Sequence, residues 1–158
     1  MTMDALEIEG RSFETSILYW IGLLEELANI SFAQEMEQPK SVVGRWRALS
    51  ILSEKDGLAI SALANESLIE RTALSRMLDA MEADELVERR PLKDDRRTIE
   101  VYITRKGRAL FNKMLPVRRK VFEQAARGMS EEELVTLITS IKKLVQNLSD
   151  DLNMPRST

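Results

Sequence analysis

The apolar positions of this chain follow two different periods. Between residues 13 and 34, Phe13, Ile17, Trp20, Ile21, Leu24, Leu27 and Ala28 recur at three- and four-residue steps, which places them on one face of a long helix. Residues 35–40, with Pro39, break that pattern. A second helix is predicted over 42–52 with Ser41 available as its N-cap, a third over 60–66, and a fourth over 71–84 with Leu74, Met77, Leu78 and Met81 on its apolar side. Only short turns, at 55–57 and 67–69, separate these three. Helix, short turn, helix is the spacing of a helix-turn-helix. The period then falls to two. Residues 86–90 and 98–103 read as strands, the second alternating and rich in β-branched residues, joined by a charged turn over 91–97. A hairpin placed directly after a helix-turn-helix is a wing.

The helical period returns at Thr104, which is expected to cap a fifth helix running to about residue 127. Pro116 lies inside that helix and is expected to kink it. Gly128 marks a stop, and Ser130 with Glu133 forms a capping box. The sixth helix carries Leu134, Leu137, Ile138, Ile141, Leu144, Val145, Leu148 and Leu152 on one stripe, with residues 150–158 as a frayed tail. The predicted fold is mostly α with a small β wing. It consists of an N-terminal dimerisation helix (1–40), a winged helix-turn-helix lobe (41–104) and C-terminal dimerisation helices (105–158), integrated in one domain. The terminal helices bring more apolar surface than a small lobe needs. They can pack on each other within one subunit or between two subunits, and the two-fold logic of operator binding favours the second.

Composition narrows the chemistry. A chain of 158 residues can bury a core without a staple. There is no Cys, so disulfides and thiol redox sensing are excluded. There is no His, which removes the commonest general base and metal ligand. Carboxylates alone could hold a hard cation, but no loop has the ligand spacing, so neither a metal nor a cofactor is expected. With no Gly-rich phosphate loop and no serine elbow, an enzyme is not expected either. Residues 1–10 lack the features of a signal peptide, and no apolar run reaches the roughly 18 residues of a membrane span. The expectation is a cytoplasmic protein with no membrane partner.

The net charge of −3 looks wrong for a DNA binder until its distribution is read. Residues 1–40 hold eight acids and two bases, whereas residues 86–108 hold eight bases and four acids. Positive charge is concentrated on the predicted wing, as a local phosphate-binding surface requires.

The wing also carries the most specific motif. The segment 95–104, Asp95-Arg96-Arg97-Thr98-Ile99-Glu100-Val101-Tyr102-Ile103-Thr104, followed by Gly107, resembles the signature of the MarR family of transcription regulators. The resemblance extends to residues 60–90, to Trp46-Arg47-Ala48-Leu49 and to Leu115-Pro116, covering roughly 41–148. It implies a homodimer, a winged helix-turn-helix, a pseudo-palindromic operator and, often, release by a ligand. Glu85 departs from it, because the family usually has glycine between recognition helix and strand. A glutamate enters the left-handed conformation with difficulty, so the junction is expected to differ. The usual Leu-Thr before the second helix is also missing.

On this reading the recognition helix presents Arg71, Thr72, Ser75 and Arg76 to base edges and phosphates. Arg89, Arg90, Lys93, Arg96 and Arg105 supply backbone contacts. Arg97 enters the minor groove from the hairpin tip, with Asp95 holding its guanidinium by a forked ion pair. Each residue has an ordinary alternative as solvated surface charge. The resemblance implies a ligand site between the dimerisation helices and the DNA-binding lobe. Tyr19, Trp20, Trp46 and Arg47 are its candidates, suited to a small aromatic or anionic effector, against the alternative of core packing and a structural arginine. The competing function is a helical protein-interaction adaptor with a degenerate winged helix, which accounts for the acidic ends but not for the basic wing. Operator sequence, regulated genes, activation versus repression and the identity of any effector are not legible.

Overall fold

The structure is a computed structural model and describes residues 13–93 and 95–152; of Phe13 and Arg96 only the backbone is described. The expectations for residues 1–10 and for the tail beyond 152 lie outside these residues. A 3-10 turn, Phe13–Thr15, leads into α1 (Ile17–Glu35). The first helix therefore starts four residues later than its apolar period, because Ser16 takes the cap and accepts the Tyr19 N–H at 3.3 Å. Then follow α2 (Val42–Glu54), β1 (Leu58–Ala59), α3 (Ile60–Ser67), α4 (Arg71–Ala83), β2 (Val87–Leu92), β3 (Asp95–Ile103), α5 (Arg105–Ala125) and α6 (Glu131–Asp151). Ser41 precedes α2, but its backbone is already helical and its side chain makes no capping bond, contrary to expectation. Asp150 and Asp151 are helical rather than frayed. The helix α5 runs on through Pro116.

The core belongs to the winged lobe. Leu49 and Leu52 of α2, Leu63 of α3, Leu74, Leu78 and Met81 of α4 and Val101 of β3 are fully buried, joined by Phe32 from the end of α1 and Met114 from α5. The sheet has three strands in the order β1-β3-β2, all antiparallel. The two-residue β1 (Leu58–Ala59) lies between the expected turn at 55–57 and the expected helix from 60, where two residues carry no detectable period. It is fixed by tertiary contacts: Gly57 donates its N–H to Val101 O at 3.1 Å, and Asp56 accepts the Ile103 N–H at 2.8 Å. Gly57 has φ 74°, and a Cβ there would lie 2.8 Å from the Tyr102 ring.

The junction after α4 corrects a second expectation. Glu85 does adopt the left-handed conformation, with φ 58°. Its N–H bonds to Glu82 O at 2.9 Å and the Leu86 N–H to Met81 O at 2.8 Å, which is the Schellman pattern. The conformational penalty, about 1–2 kcal/mol for a side chain, is offset by what docks on the turn. Thr104 donates its hydroxyl to Glu85 O at 2.6 Å and caps α5 through the Gly107 N–H at 3.0 Å. A Cβ on Gly107 would sit 2.0 Å from Leu86 O. The threonine and glycine of the motif thus let the first turn of α5 abut the end of α4.

Candidate nucleic-acid interface

Helix α4 buries Leu74, Leu78 and Met81 and turns the opposite arc outward. At 3.6 residues per turn, Arg71, Thr72, Ser75, Arg76, Asp79 and Glu82 share that outer arc. Charge is sorted along it. Arg71 and Arg76, in the first half, are exposed, and among the described residues neither lies in a salt bridge. The acids of the second half, and those of the turn that follows it, are each held by a cation from another element. Asp79 and Glu82 face Arg89 of β2, Asp84 pairs with Arg45 of α2 at 2.9 Å, and Glu85 pairs with Lys106 of α5 at 3.1 Å.

The N-terminus of α4 is closed by a residue that sequence reasoning missed. Glu70 caps the helix, accepting the N–H groups of Thr72 at 2.8 Å and Ala73 at 2.9 Å. Those two bonds hold its carboxyl below the usual carboxylate range, with smaller help from the Thr72 hydroxyl and the Arg76 charge. An acid just before an apolar-periodic run was the available signal, masked by the usual preference for Ser, Thr, Asp or Asn at that place.

The wing differs from expectation in three ways. First, the hairpin is longer and its turn narrower, since β2 reaches Leu92 and β3 begins at Asp95. Pairing keeps register from Val87↔Ile103 to Pro91↔Ile99 and then slips to Leu92↔Asp95, which leaves residues 96–98 as a bulge. Arg97 sits in that bulge, exposed. Second, Asp95 does not grip the Arg97 guanidinium. One carboxylate oxygen accepts the Arg97 backbone N–H at 3.0 Å and the other the Thr98 hydroxyl at 2.7 Å. These bonds lower its pKa, the Thr98 hydroxyl first. Short side chains close such local rings readily, so Asp95 shapes the bulge backbone from which Arg97 projects. Third, Arg89 is not presented to a phosphate. Period-two alternation puts it on the inward face with Val87, where it donates to Asp79 Oδ1 at 2.6 Å and to Ser75 O at 2.9 Å.

Arg90 points outward but is partly engaged. It pairs with Glu88 and lies over the Tyr102 ring, 4.5 Å from its centroid. The Tyr102 hydroxyl donates to Glu100 at 2.8 Å, and this bond raises its pKa. Lys93 is exposed at the turn, and Arg105 is exposed in the first turn of α5. The Arg96 side chain lies outside the described residues.

The four effector candidates are not gathered in one place. Tyr19 and Trp20 stack edge-on, 5.4 Å apart, on the exposed start of α1, where Trp20 donates to Glu14 O. Trp46 stacks on Phe111 at 5.3 Å and tilts against Phe32, which is core packing. Arg47 pairs with Glu25 of α1. Trp46, Arg47 and Glu25 line a groove of about 260 Å³ together with Leu68, in the turn before α4. Glu25 and Leu68 also border an apolar cleft of about 760 Å³ between α1, α5 and the start of α6, with Arg118 in its wall. Burial lowers the pKa of Arg118, and repulsion from Arg47 lowers it further. Among the described residues, no cluster of His, Cys, Asp or Glu could hold a metal, and no helix is long and apolar enough to cross a membrane.

Residues 43–99, which span α2 through most of the wing, match the model of the MarR family. The HTH-type transcriptional repressor IacR of Pseudomonas putida is 25% identical over 130 residues, 82% of this chain and 78% of that protein. A MarR-family transcriptional regulator from Silicibacter pomeroyi superposes with a TM-score of 0.74 at 29% identity, covering 86% of this chain and 92% of that one. The chain is similar to the MarR family through its winged helix-turn-helix lobe. MarR-family proteins are transcription regulators and not enzymes. BpsR of Bordetella bronchiseptica, whose DNA binding is regulated by 6-hydroxynicotinic acid, shares the MarR fold with this chain. Its TM-score is 0.76 at 18% identity, over 85% of this chain and 96% of that one.

Proposed function

We propose that this regulator is a cytoplasmic repressor that binds a pseudo-palindromic operator as a homodimer, with α4 in the major groove and the wing in the minor groove. The observation that carries this reading is the sorted outer arc of α4: its acids are all engaged inside the subunit, while Arg71 and Arg76 are left exposed ahead of an equally exposed Arg97. An adaptor would have no use for that division. The dimer rests on α6, whose Leu137, Ile138, Leu144, Val145 and Leu148 are exposed in the single chain. Exposed apolar stripes of this size mark an interface.

A small anionic effector is part of the same reading. Arg47 and Arg118 repel each other with Glu25 as counterion; Arg118 lines the apolar cleft and Arg47 the smaller groove, and Glu25 and Leu68 line both. A planar carboxylate fits that chemistry, and it would act by displacing Glu25 and shifting Leu68. The test is selection of bound duplexes from a random pool, with the stoichiometry measured by sedimentation and 6-hydroxynicotinate titrated onto the complex. The expected result is a two-fold symmetric consensus with half-sites about one helical turn apart, two subunits per duplex, and release by the probe that is lost in Arg47→Ala. A single asymmetric half-site bound by one subunit would overturn the operator reading; release that is unchanged in Arg47→Ala would overturn the effector site.

A further inference from the structure

Arg89 joins the wing to the polar arc of the recognition helix. Its side chain is 20% exposed and reaches across from β2 to three successive turns of α4. Nη2 donates to Ser75 O at 2.9 Å, Nη1 donates to Asp79 Oδ1 at 2.6 Å, and Nη1 lies 3.7 Å from Glu82 Oε2. The backbone joins in, since the Arg89 N–H donates to Glu82 Oε1 at 2.9 Å. The register explains the direction. Arg89 pairs with the fully buried Val101, and paired residues of an antiparallel ladder share a face, so the guanidinium enters the space between sheet and helix.

We infer that Arg89 is a positioning residue for DNA recognition, a clamp that sets the angle between recognition helix and wing without touching DNA; this rests on the DNA-binding reading above. A helix in one groove and a hairpin in the next must engage together. If their relative angle is held in advance, that ordering is not charged against binding. The planar fork of arginine suits this task, because it bonds in fixed directions to a carbonyl and a carboxylate at once. The clamp also neutralises Asp79 and Glu82, the two acids that share the outer arc with Ser75.

The test compares three variants with wild type on the selected operator and on nonspecific duplex, across a salt series, with thermal unfolding as the control for folding. Arg89→Ala is expected to lose about tenfold in operator affinity, the size of one coupled network contact, with little loss on nonspecific duplex and the wild-type salt slope. Arg97→Ala, the comparison cation, is expected to flatten the slope by about one unit. The third variant, Asp79→Asn with Glu82→Gln, keeps the shapes and removes two negative charges. A clamp predicts weaker operator binding and stronger nonspecific binding in it, so the ratio of the two falls. A flattened slope in Arg89→Ala would make Arg89 a phosphate contact and overturn the inference. So would a double variant that tightens both duplexes equally, or an Arg89→Ala loss equal on both. Wild-type protein without salt-dependent duplex binding would overturn the DNA-binding reading itself, and the role of Arg89 with it.

Discussion

Helices α4 and α6 carry equally legible apolar stripes and meet opposite fates. In α4 the stripe of Leu74, Leu78 and Met81 is fully buried against α2, α3 and the sheet. In α6 the stripe from Leu134 to Leu152 remains largely open, and Ser149 is the one buried residue of the helix. An apolar stripe states that a face leaves water; it does not state what it meets. For α4 the partner lies in the same chain, within a few tens of residues. For α6 the ordinary physics of exposed apolar surface points to a second copy. The two regions should therefore fail separately.

The sharpest break is expected at α6. Changing Leu137 and Ile141 to Lys should leave a folded winged lobe, normal by circular dichroism, that sediments as a monomer and has lost operator binding. In contrast, Leu78→Ala empties a fully buried site in α4 and should lower unfolding free energy by about 2–5 kcal/mol while any protein that folds still dimerises. A wild-type monomer at micromolar concentration, or a dimer in the Lys variant, would break the comparison.

DNA contact is expected to be separable from both. Arg97→Ala should lose roughly 1–3 kcal/mol of operator binding, with dimerisation and thermal unfolding unchanged, because Arg97 is exposed on the bulge. Asp95→Ala removes the two bonds that shape that bulge and also a negative charge near DNA. Operator affinity should fall while nonspecific affinity holds or rises, as read by the same duplex titrations. A rise in both would mean that charge outweighs shape at the wing.

The smallest effect concerns the strained end of α4. Glu85 holds φ 58° against its own side chain. Glu85→Gly should raise lobe stability by about 1 kcal/mol, reduced by the greater freedom of glycine in the unfolded chain and by loss of the exposed pair with Lys106. Denaturant unfolding checks it, and destabilisation would mean that the carboxylate matters more than the backbone.

Several features of the site are legible from position within an element. Arg89 follows Val87 by two residues in a strand, so alternation alone puts it on the inward face, against the expectation that a wing arginine faces phosphate. Asp95 lies two residues before Arg97, a spacing that serves a local turn at least as well as an ion pair, and the bonds it makes are those of the turn. Glu70 stood in the N-cap place of the recognition helix. In each case position within the element carries the signal, and residue type alone points elsewhere.

What the sequence determined by itself was the order of the helices and of the hairpin, the face of each helix that leaves water, and the family that the wing resembles, since all of these rest on periods and motifs within a few residues of one another. Tertiary structure alone decided the roles of the charges. Whether an arginine touches DNA or a carboxylate depends on which groups stand within about 3 Å, and those come from distant parts of the chain: Asp84 is met by Arg45, Glu85 by Lys106 and Glu25 by Arg47. The strand β1 and the left-handed turn at Glu85 belong to the same class. Neither has local preference enough to form, and both exist because Val101, Ile103 and Thr104 arrive beside them.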